Sequence, residues 1–229
     1  MQRVNKRSCY FSNLFIPALR TAQLFALGSR YTSRMLRRVV DSPWFLWLLL
    51  ALPGAVTVVR YASGATFYGE VVLMTGELSA RLLIATMAIT PLQLMFPGRG
   101  WVRWLQRRRR YLGVASFGYA ALHTVVYLVR TGVFGDILAD AAEPGLLTGW
   151  LALAIFVPLA ITSNDRAVRR LRRLWKRLHR WVYAAAMLTF AHWVLTAFDP
   201  VPGLIHLAIL AALEGYRLWR TYRLKYASD

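Results

Sequence analysis

Long apolar runs separated by short, strongly charged segments dominate the pattern of this sequence. Six of the runs approach the length of about 20 residues that a helix needs to cross a hydrocarbon core about 30 Å thick. Proline falls inside three of them, which membrane helices tolerate when neighbouring groups satisfy the freed carbonyl. The predicted spans are 43–61, 78–96, 111–129, 146–163, 181–198 and 203–218. The pattern therefore predicts an all-α integral membrane protein built as a six-transmembrane-helix bundle.

Most charged residues are basic, and most of them lie between the apolar runs. The chain has 29 Lys and Arg against 10 Asp and Glu, a formal net charge of +19, although 57% of its residues are hydrophobic. Such a charge suggests nucleic acid, but a soluble nucleic-acid-binding protein would not carry apolar runs of this length. The single cysteine, Cys9, also excludes an internal disulfide framework. We therefore expect the lipid bilayer, and not nucleic acid, as a partner.

The basic residues also orient the predicted bundle. Of the 29, 26 lie before the first span, after the second, after the fourth or at the C-terminal end. The positive-inside rule makes that side cytoplasmic, and six spans then leave both termini in the cytoplasm. The predicted divisions are a cytoplasmic N-terminal arm (1–42), a transmembrane domain (43–222) and a cytoplasmic tail (223–229). Basic loops of this kind also bind anionic lipid headgroups.

Two of the four histidines fall at the same depth in two predicted spans. His123 lies 13 residues after Arg110, and His192 lies 13 residues after His179. At about 1.5 Å per residue, each is about 20 Å from the inner boundary. Ionisable residues inside a span are functional candidates, and two imidazoles at one level can bind one haem iron from both sides. The alternative is that each histidine only bridges helices through hydrogen bonds.

His179 and Arg109 lie at the inner edge of the same two spans. His179 is a candidate ligand of a second haem, but it is rotated about 140° away from the face of His192. The matching level of the third span holds arginines, whose guanidinium groups are not ordinary iron ligands. We therefore expect one outer haem, with two as the alternative, and an electron-input site at Arg109 and His179. His206, near the outer start of the sixth span, is an alternative ligand or an interfacial structural residue.

Three stretches in the second to fifth spans occur together in one known family. They are TGELSARLLIATMAITPL (75–92), RRYLGVASFGYAALHTVVY (109–127) and AITSNDRAVRRLRRLWKRLHRWVYAAAMLTFAHW (160–193). In combination, order and spacing they resemble the MsrQ (YedZ) family, the haem-binding membrane subunits of bacterial protein-methionine-sulfoxide reductase systems. That family belongs to the wider ferric-reductase-like transmembrane group.

The resemblance implies a haem b electron-transfer subunit in the bacterial inner membrane. It implies that electrons come from respiratory quinone or reduced flavin, with a bound FMN. They would pass to a periplasmic molybdopterin (molybdenum-cofactor) methionine-sulfoxide reductase that repairs oxidised proteins. The haem-linked histidines of the family fall at His123, His179 and His192. The wider group often has a second, inner histidine on the third span, where this chain has Arg109.

Two other functions fit the same residues. A ferric or cupric reductase would use the haem directly on metal ions, but we expect it to need a cytosolic flavin domain, and this sequence ends without one. A haem-free assembly or transport protein would use its histidines only to join helices. No nucleotide-binding, hydrolase or zinc signature occurs in the sequence. We therefore expect no catalytic residue here and place the catalytic site on the partner, so the chain itself is not firmly classed as an enzyme.

Overall fold

The computed structural model describes residue 39 and residues 41–132, 139–140 and 142–226. The predicted N-terminal arm therefore lies almost wholly outside the described residues. Contacts divide the chain into two units, Met1–Leu49 and Leu50–Asp229, and the boundary falls inside the first long helix. The second unit contains all four histidines.

The described residues form helices, and no strand occurs among them. The helices are α1 (Pro43–Ala62), α2 (Tyr68–Met95), α3 (Gly100–Thr131), α4 (Pro144–Ile161), α5 (Asp165–Leu171), α6 (Arg173–His179), α7 (Val182–Thr196) and α8 (Val201–Tyr226). Five of those described, α1 to α4 and α8, are long and apolar enough to cross a membrane. The prediction of an all-α, multi-pass membrane protein is confirmed.

The predicted span 181–198 corresponds to α7, which is shorter than a full membrane crossing. Its 15 residues rise only about 22 Å. Only Arg180 and Trp181 separate it from α6, and both have right-handed helical backbone angles. The Trp181 N–H donates to the Leu178 carbonyl at 3.0 Å, a tight three-residue turn. The chain therefore continues from α6 into α7 with little interruption.

Helix α3 is longer than the predicted span 111–129. It has 32 residues and rises about 48 Å. Arginine is a good helix former, and no proline interrupts this part of the chain, so the helix runs through the basic segment that precedes the apolar run. It ends at Gly132, whose φ of +68° suits glycine.

A tyrosine of α3 forms hydrogen bonds with the backbone of α1 next to the proline inside that helix. The Tyr119 hydroxyl of α3 accepts a hydrogen bond from the Gly54 N–H at 2.9 Å and donates to the Leu50 carbonyl at 2.7 Å. Those two groups would pair with each other in a regular helix. The hydroxyl is therefore inserted into the helix beside Pro53. This is the compensation that membrane helices need around a proline.

The core of the second unit lies on the side of α7 that carries Phe190. Helix α2 packs most extensively on α3, and α4 on α7, while contacts between these two pairs are fewer. Ser79 of α2 and Ser116 of α3 each donate a hydroxyl hydrogen bond to the other's carbonyl, both at 2.9 Å. Small residues of α7, Ala185 and Ala186, are fully buried and allow close helix approach. The core cluster consists of Ala80, Leu83, Met87, Phe156, Ala185, Ala186, Phe190, Trp193 and Leu210.

Candidate functional site

The two histidines that were predicted at matched depth lie next to each other. His123 is on α3 and His192 is on α7, so each belongs to a different pair of packed helices. Their ring centroids are 6.0 Å apart, and the ring planes meet at 88°. The structure therefore joins the two helix pairs at these imidazoles.

Each of these rings directs one nitrogen at a backbone carbonyl of the helix beside it. Nδ1 of His123 lies 2.9 Å from the Val72 oxygen of α2, and Nδ1 of His192 lies 2.9 Å from the Gly145 oxygen of α4. A carbonyl oxygen only accepts hydrogen bonds, so Nδ1 carries a proton in both rings, and in the neutral form of each ring Nε2 has the lone pair. A metal-bound imidazole needs this arrangement, with its second nitrogen held by an outer acceptor.

A glycine four residues beyond each carbonyl makes room for the ring. A Cβ added at Gly76 would lie 3.2 Å from Nδ1 of His123, and one added at Gly149 would lie 2.8 Å from Nδ1 of His192. Each histidine therefore occupies what we call a cradle, a carbonyl at one position and a glycine four residues later on the neighbouring helix. The two cradles have the same design on α2 and on α4.

Sequence reasoning found the histidines but missed the glycines. It noted alanines beside the histidines as the residues that would leave room. The sequence does contain a signal for the cradles, a glycine in the interior of each of two apolar helices. Glycine in a helix interior is less favourable than alanine by about 1 kcal/mol. Such a glycine points to a close contact, but the sequence does not say with which side chain.

The donor set fits an iron held between two imidazoles. Two imidazoles on opposite sides of one metal ion, each bonded at about 2 Å with its ring centroid about 1.2 Å behind the nitrogen, would have centroids about 6.4 Å apart. The observed 6.0 Å is close to this value. Among the described residues, no group of three or more His, Cys, Asp or Glu could hold a bare metal ion. Two neighbouring imidazoles, each with Nδ1 on a backbone carbonyl, therefore fit a haem better than a metal bound by protein alone.

His179 lies apart from this pair, at the end of α6. Its ring stacks on Trp175 with centroids 4.0 Å apart, and its Nε2 lies 3.0 Å from the Thr162 hydroxyl. Burial lowers the pKa of His179, and the positive charges of Arg109 and Arg110 lower this pKa further. The imidazole is therefore neutral at pH 7. The charge of Arg109 acts on His179, as expected for two residues at the same end of the bundle.

Arg109 lies at the meeting point of α2, α3, α7 and α8. Its Nη1 donates to the Thr90 hydroxyl of α2 at 3.3 Å. Tyr183 of α7 and Glu214 and Arg217 of α8 lie near enough to interact with it electrostatically. Sequence reasoning missed Glu214, although an acidic residue inside the predicted sixth span was itself a signal.

The structure places His206 against Trp193, with ring centroids 5.1 Å apart. Its Nδ1 lies 2.7 Å from the Pro202 carbonyl one turn earlier in α8. This hydrogen bond resembles those of the other two outer histidines, but its acceptor belongs to the same helix. The hydrogen bond of His206 therefore stays within α8, and its role as an alternative ligand or an interfacial structural residue stays a prediction.

Comparisons with known proteins place the chain in a family. Residues 75–190 match the family model of the ferric reductase like transmembrane component. The chain is 34% identical over 192 residues to the protein-methionine-sulfoxide reductase heme-binding subunit MsrQ of Rhizobium meliloti (strain 1021), covering 81% of this chain and 87% of that protein. It is 36% identical over 166 residues to the proteins of the same name from Xanthomonas axonopodis pv. citri (strain 306) and Xanthomonas campestris pv. campestris (strain B100), covering 69% of this chain and 73% of each relative.

No solved structure matches the chain. The residues that match the family model include His123 and the cradle glycines Gly76 and Gly149. The chain therefore belongs to the MsrQ family, within the ferric-reductase-like transmembrane group.

Proposed function

We propose that this chain is the haem-binding electron-transfer subunit of a protein-methionine-sulfoxide reductase system in a bacterial inner membrane. The observation that carries the proposal is the adjacent pair of His123 and His192, each with Nδ1 on a backbone carbonyl and Nε2 not engaged by that bond. The relatives support it, because they are named as heme-binding subunits of that system.

The two imidazoles would hold the iron of a haem b through Nε2. The haem supplies a reversible one-electron carrier when bound, and two axial imidazoles leave no open iron position for oxygen. The Val72 and Gly145 carbonyls keep each imidazole in the tautomer that ligation requires. The protein would therefore carry electrons and leave catalysis to its partner.

The direction of transfer that we propose is supported by the arrangement along α3. Arg109 precedes His123 by 14 residues of one continuous helix, a rise of about 21 Å. The basic end would be cytoplasmic by the positive-inside rule. We propose that it takes electrons from quinol or reduced flavin near Arg109 and His179. A bound FMN or a second haem at this end would shorten the distance to the outer histidines. The receiving protein would be a periplasmic molybdopterin reductase that repairs methionine sulfoxide.

Haem content per polypeptide tests the proposal. We expect the purified wild-type protein to contain haem b by the pyridine haemochrome assay. His123→Ala and His192→Ala should each abolish or strongly reduce it. His206→Ala is the matched control, because it also removes an outer imidazole, and it should leave the haem content unchanged.

Three other results would contradict the ligand assignment or favour a different function. Full haem occupancy in the double variant His123→Ala/His192→Ala would refute the ligand assignment. A wild-type protein without haem would favour an assembly or transport role. Rapid reduction of ferric chelates by the isolated haem protein, with none by way of a methionine-sulfoxide reductase, would favour a ferric or cupric reductase.

A further inference from the structure

An acidic side chain lies inside the last membrane helix, at the same end of the bundle as Arg109. The Glu214 side chain is only 16% exposed, and both of its carboxylate oxygens are buried. Within the described part of the chain, neither oxygen accepts a hydrogen bond of good geometry, although Nη1 of Arg217 lies 2.8 Å from Oε2. A buried carboxylate with unused acceptor positions is costly, so a role in chemistry has to be considered for it.

The groups around Glu214 come from three helices. Arg217 lies on its own helix, Arg109 is near enough for its charge to act from α3, and Tyr183 contributes a hydroxyl from α7. Arg217 donates a hydrogen bond to the Tyr183 hydroxyl and also lies over the tyrosine ring. From α2, the Thr90 hydroxyl accepts a hydrogen bond from Arg109. Two guanidinium groups therefore accompany one carboxylate.

Such a cluster suits a ligand with an acidic O–H or N–H next to an oxygen. Guanidinium groups donate hydrogen bonds to oxygen atoms, and a carboxylate accepts the proton that the ligand gives up. A purely structural ion pair between Glu214 and Arg217 would explain only the 2.8 Å contact between Nη1 and Oε2. It would not explain why both carboxylate oxygens remain without a hydrogen bond in a buried position.

The electron donors of the proposed function need a proton acceptor. Hydroquinones and reduced flavins each lose two protons with their two electrons, because an O–H or N–H bond must break as the ring is oxidised. A haem iron takes one electron at a time and no proton. A base within reach of the donor must therefore take the proton when the electron leaves.

We propose that Glu214 is the proton acceptor of the electron-input site, for a donor of the hydroquinone or dihydroflavin class. This inference rests on the proposed function. The donor's O–H or N–H bond breaks, and the proton forms the carboxylic acid of Glu214. The second proton leaves to water at the basic end, and the two electrons pass singly to the haem iron. Arg109 and Arg217 bind the donor's oxygen atoms.

The rate of haem reduction by different reductants tests this role. We expect Glu214→Gln to slow reduction by menadiol, reduced FMN or both at least tenfold and to abolish the pH dependence of that rate. Dithionite gives an electron without needing a protein base, so its rate should stay unchanged. Glu214→Asp should restore part of the rate, because it keeps a carboxylate. Slowing with menadiol alone would identify a hydroquinone site, and slowing with reduced FMN alone a flavin site.

Glu143→Gln is the matched control for the loss of a negative charge. Glu143 is exposed and precedes α4, at the end of that helix far from Arg109. We expect Glu143→Gln to be reduced at the wild-type rate by all three reductants.

A second measurement does not depend on electron transfer. Infrared difference spectra between high and low pH should contain a titrating carboxyl band in the wild-type protein that is missing in Glu214→Gln. Wild-type rates with both organic donors, or equal slowing with all three reductants, would overturn the proton-acceptor role. Absence of haem from the wild-type protein would instead overturn the proposed function, and the infrared band would still report on Glu214.

Discussion

Replacing Gly149 with alanine tests whether the cradles position the histidines. The new Cβ would lie 2.8 Å from Nδ1 of His192, whereas ordinary contacts begin at 3.4 Å. The imidazole ring of His192 can relieve this close contact by moving away from the Gly145 carbonyl. Its hydrogen bond to that carbonyl would then lengthen from 2.9 Å to about 3.5 Å, beyond the usual N–H···O range. Loss of a metal ligand's outer hydrogen bond typically weakens metal affinity about 10- to 100-fold. We expect a loss of haem affinity in that range.

The corresponding change in the other cradle should be milder. A Cβ at Gly76 would lie 3.2 Å from Nδ1 of His123, so a shift of about 0.2 Å relieves it and keeps the hydrogen bond to Val72 within range. Gly118→Ala is the control, because a Cβ there would meet no atom within 4 Å and the residue shares α3 with His123. It should bind haem like the wild-type protein.

Haem titration into apoprotein, followed by absorbance, measures all three variants. The expected order of affinity is Gly118→Ala, then Gly76→Ala, then Gly149→Ala. If Gly149→Ala binds haem as tightly as Gly118→Ala, the cradle does not position His192. If Gly76→Ala is the weakest of the three, the distances do not govern the effect.

Three further predictions concern the rest of the chain. Tyr119→Phe removes the hydroxyl that joins the Gly54 N–H to the Leu50 carbonyl, so we expect the free energy of unfolding to fall by about 1–3 kcal/mol; an unchanged melting temperature in detergent would contradict this. The pKa of His179 is lowered in the folded protein, chiefly through burial. Below the usual histidine pKa of about 6.5, the unfolded chain therefore binds more protons than the folded protein, and stability should fall as pH drops through that value. His179→Gln should show less of this loss in thermal unfolding at pH 7 and pH 5, and equal losses would refute the argument. A green fluorescent protein fused after Asp229 should fluoresce, and an alkaline phosphatase fused there should be inactive, because the positive-inside rule predicts a cytoplasmic C-terminus; the opposite pair of results would reverse the topology.

Sequence reasoning reached the histidine pair because depth in a membrane can be counted. The rise per residue is fixed, and the charged segments mark where each span begins, so equal counts to His123 and His192 predicted equal depth. It could not predict the cradles or the surroundings of Glu214. Those depend on how each helix is rotated and on which helix lies beside it, and neither is a property of a single segment.

The helix boundaries differed from prediction for similar local reasons. The basic segment before residue 111 was interpreted as a loop because of its charge, yet arginine continues a helix without difficulty, and α3 begins at Gly100. The helix within the span 181–198 begins at Val182, after the turn at Arg180 and Trp181, and it ends at Thr196 because Ala197 has an extended backbone. The hydrophobic pattern located both segments, but it carried no information about the backbone geometry at their ends.

The two cradles lie in helix pairs that are made at different times during synthesis. Helices α2 and α3 leave the ribosome with one complete cradle, and α4 and α7 complete the second one later in the chain. A ligand that binds both histidines cannot be captured until α7 has entered the bilayer. The residues of the first cradle, Val72, Gly76 and His123, thus all precede those of the second in the chain. A cofactor held by both histidines would therefore bind only to chains that have been made past His192.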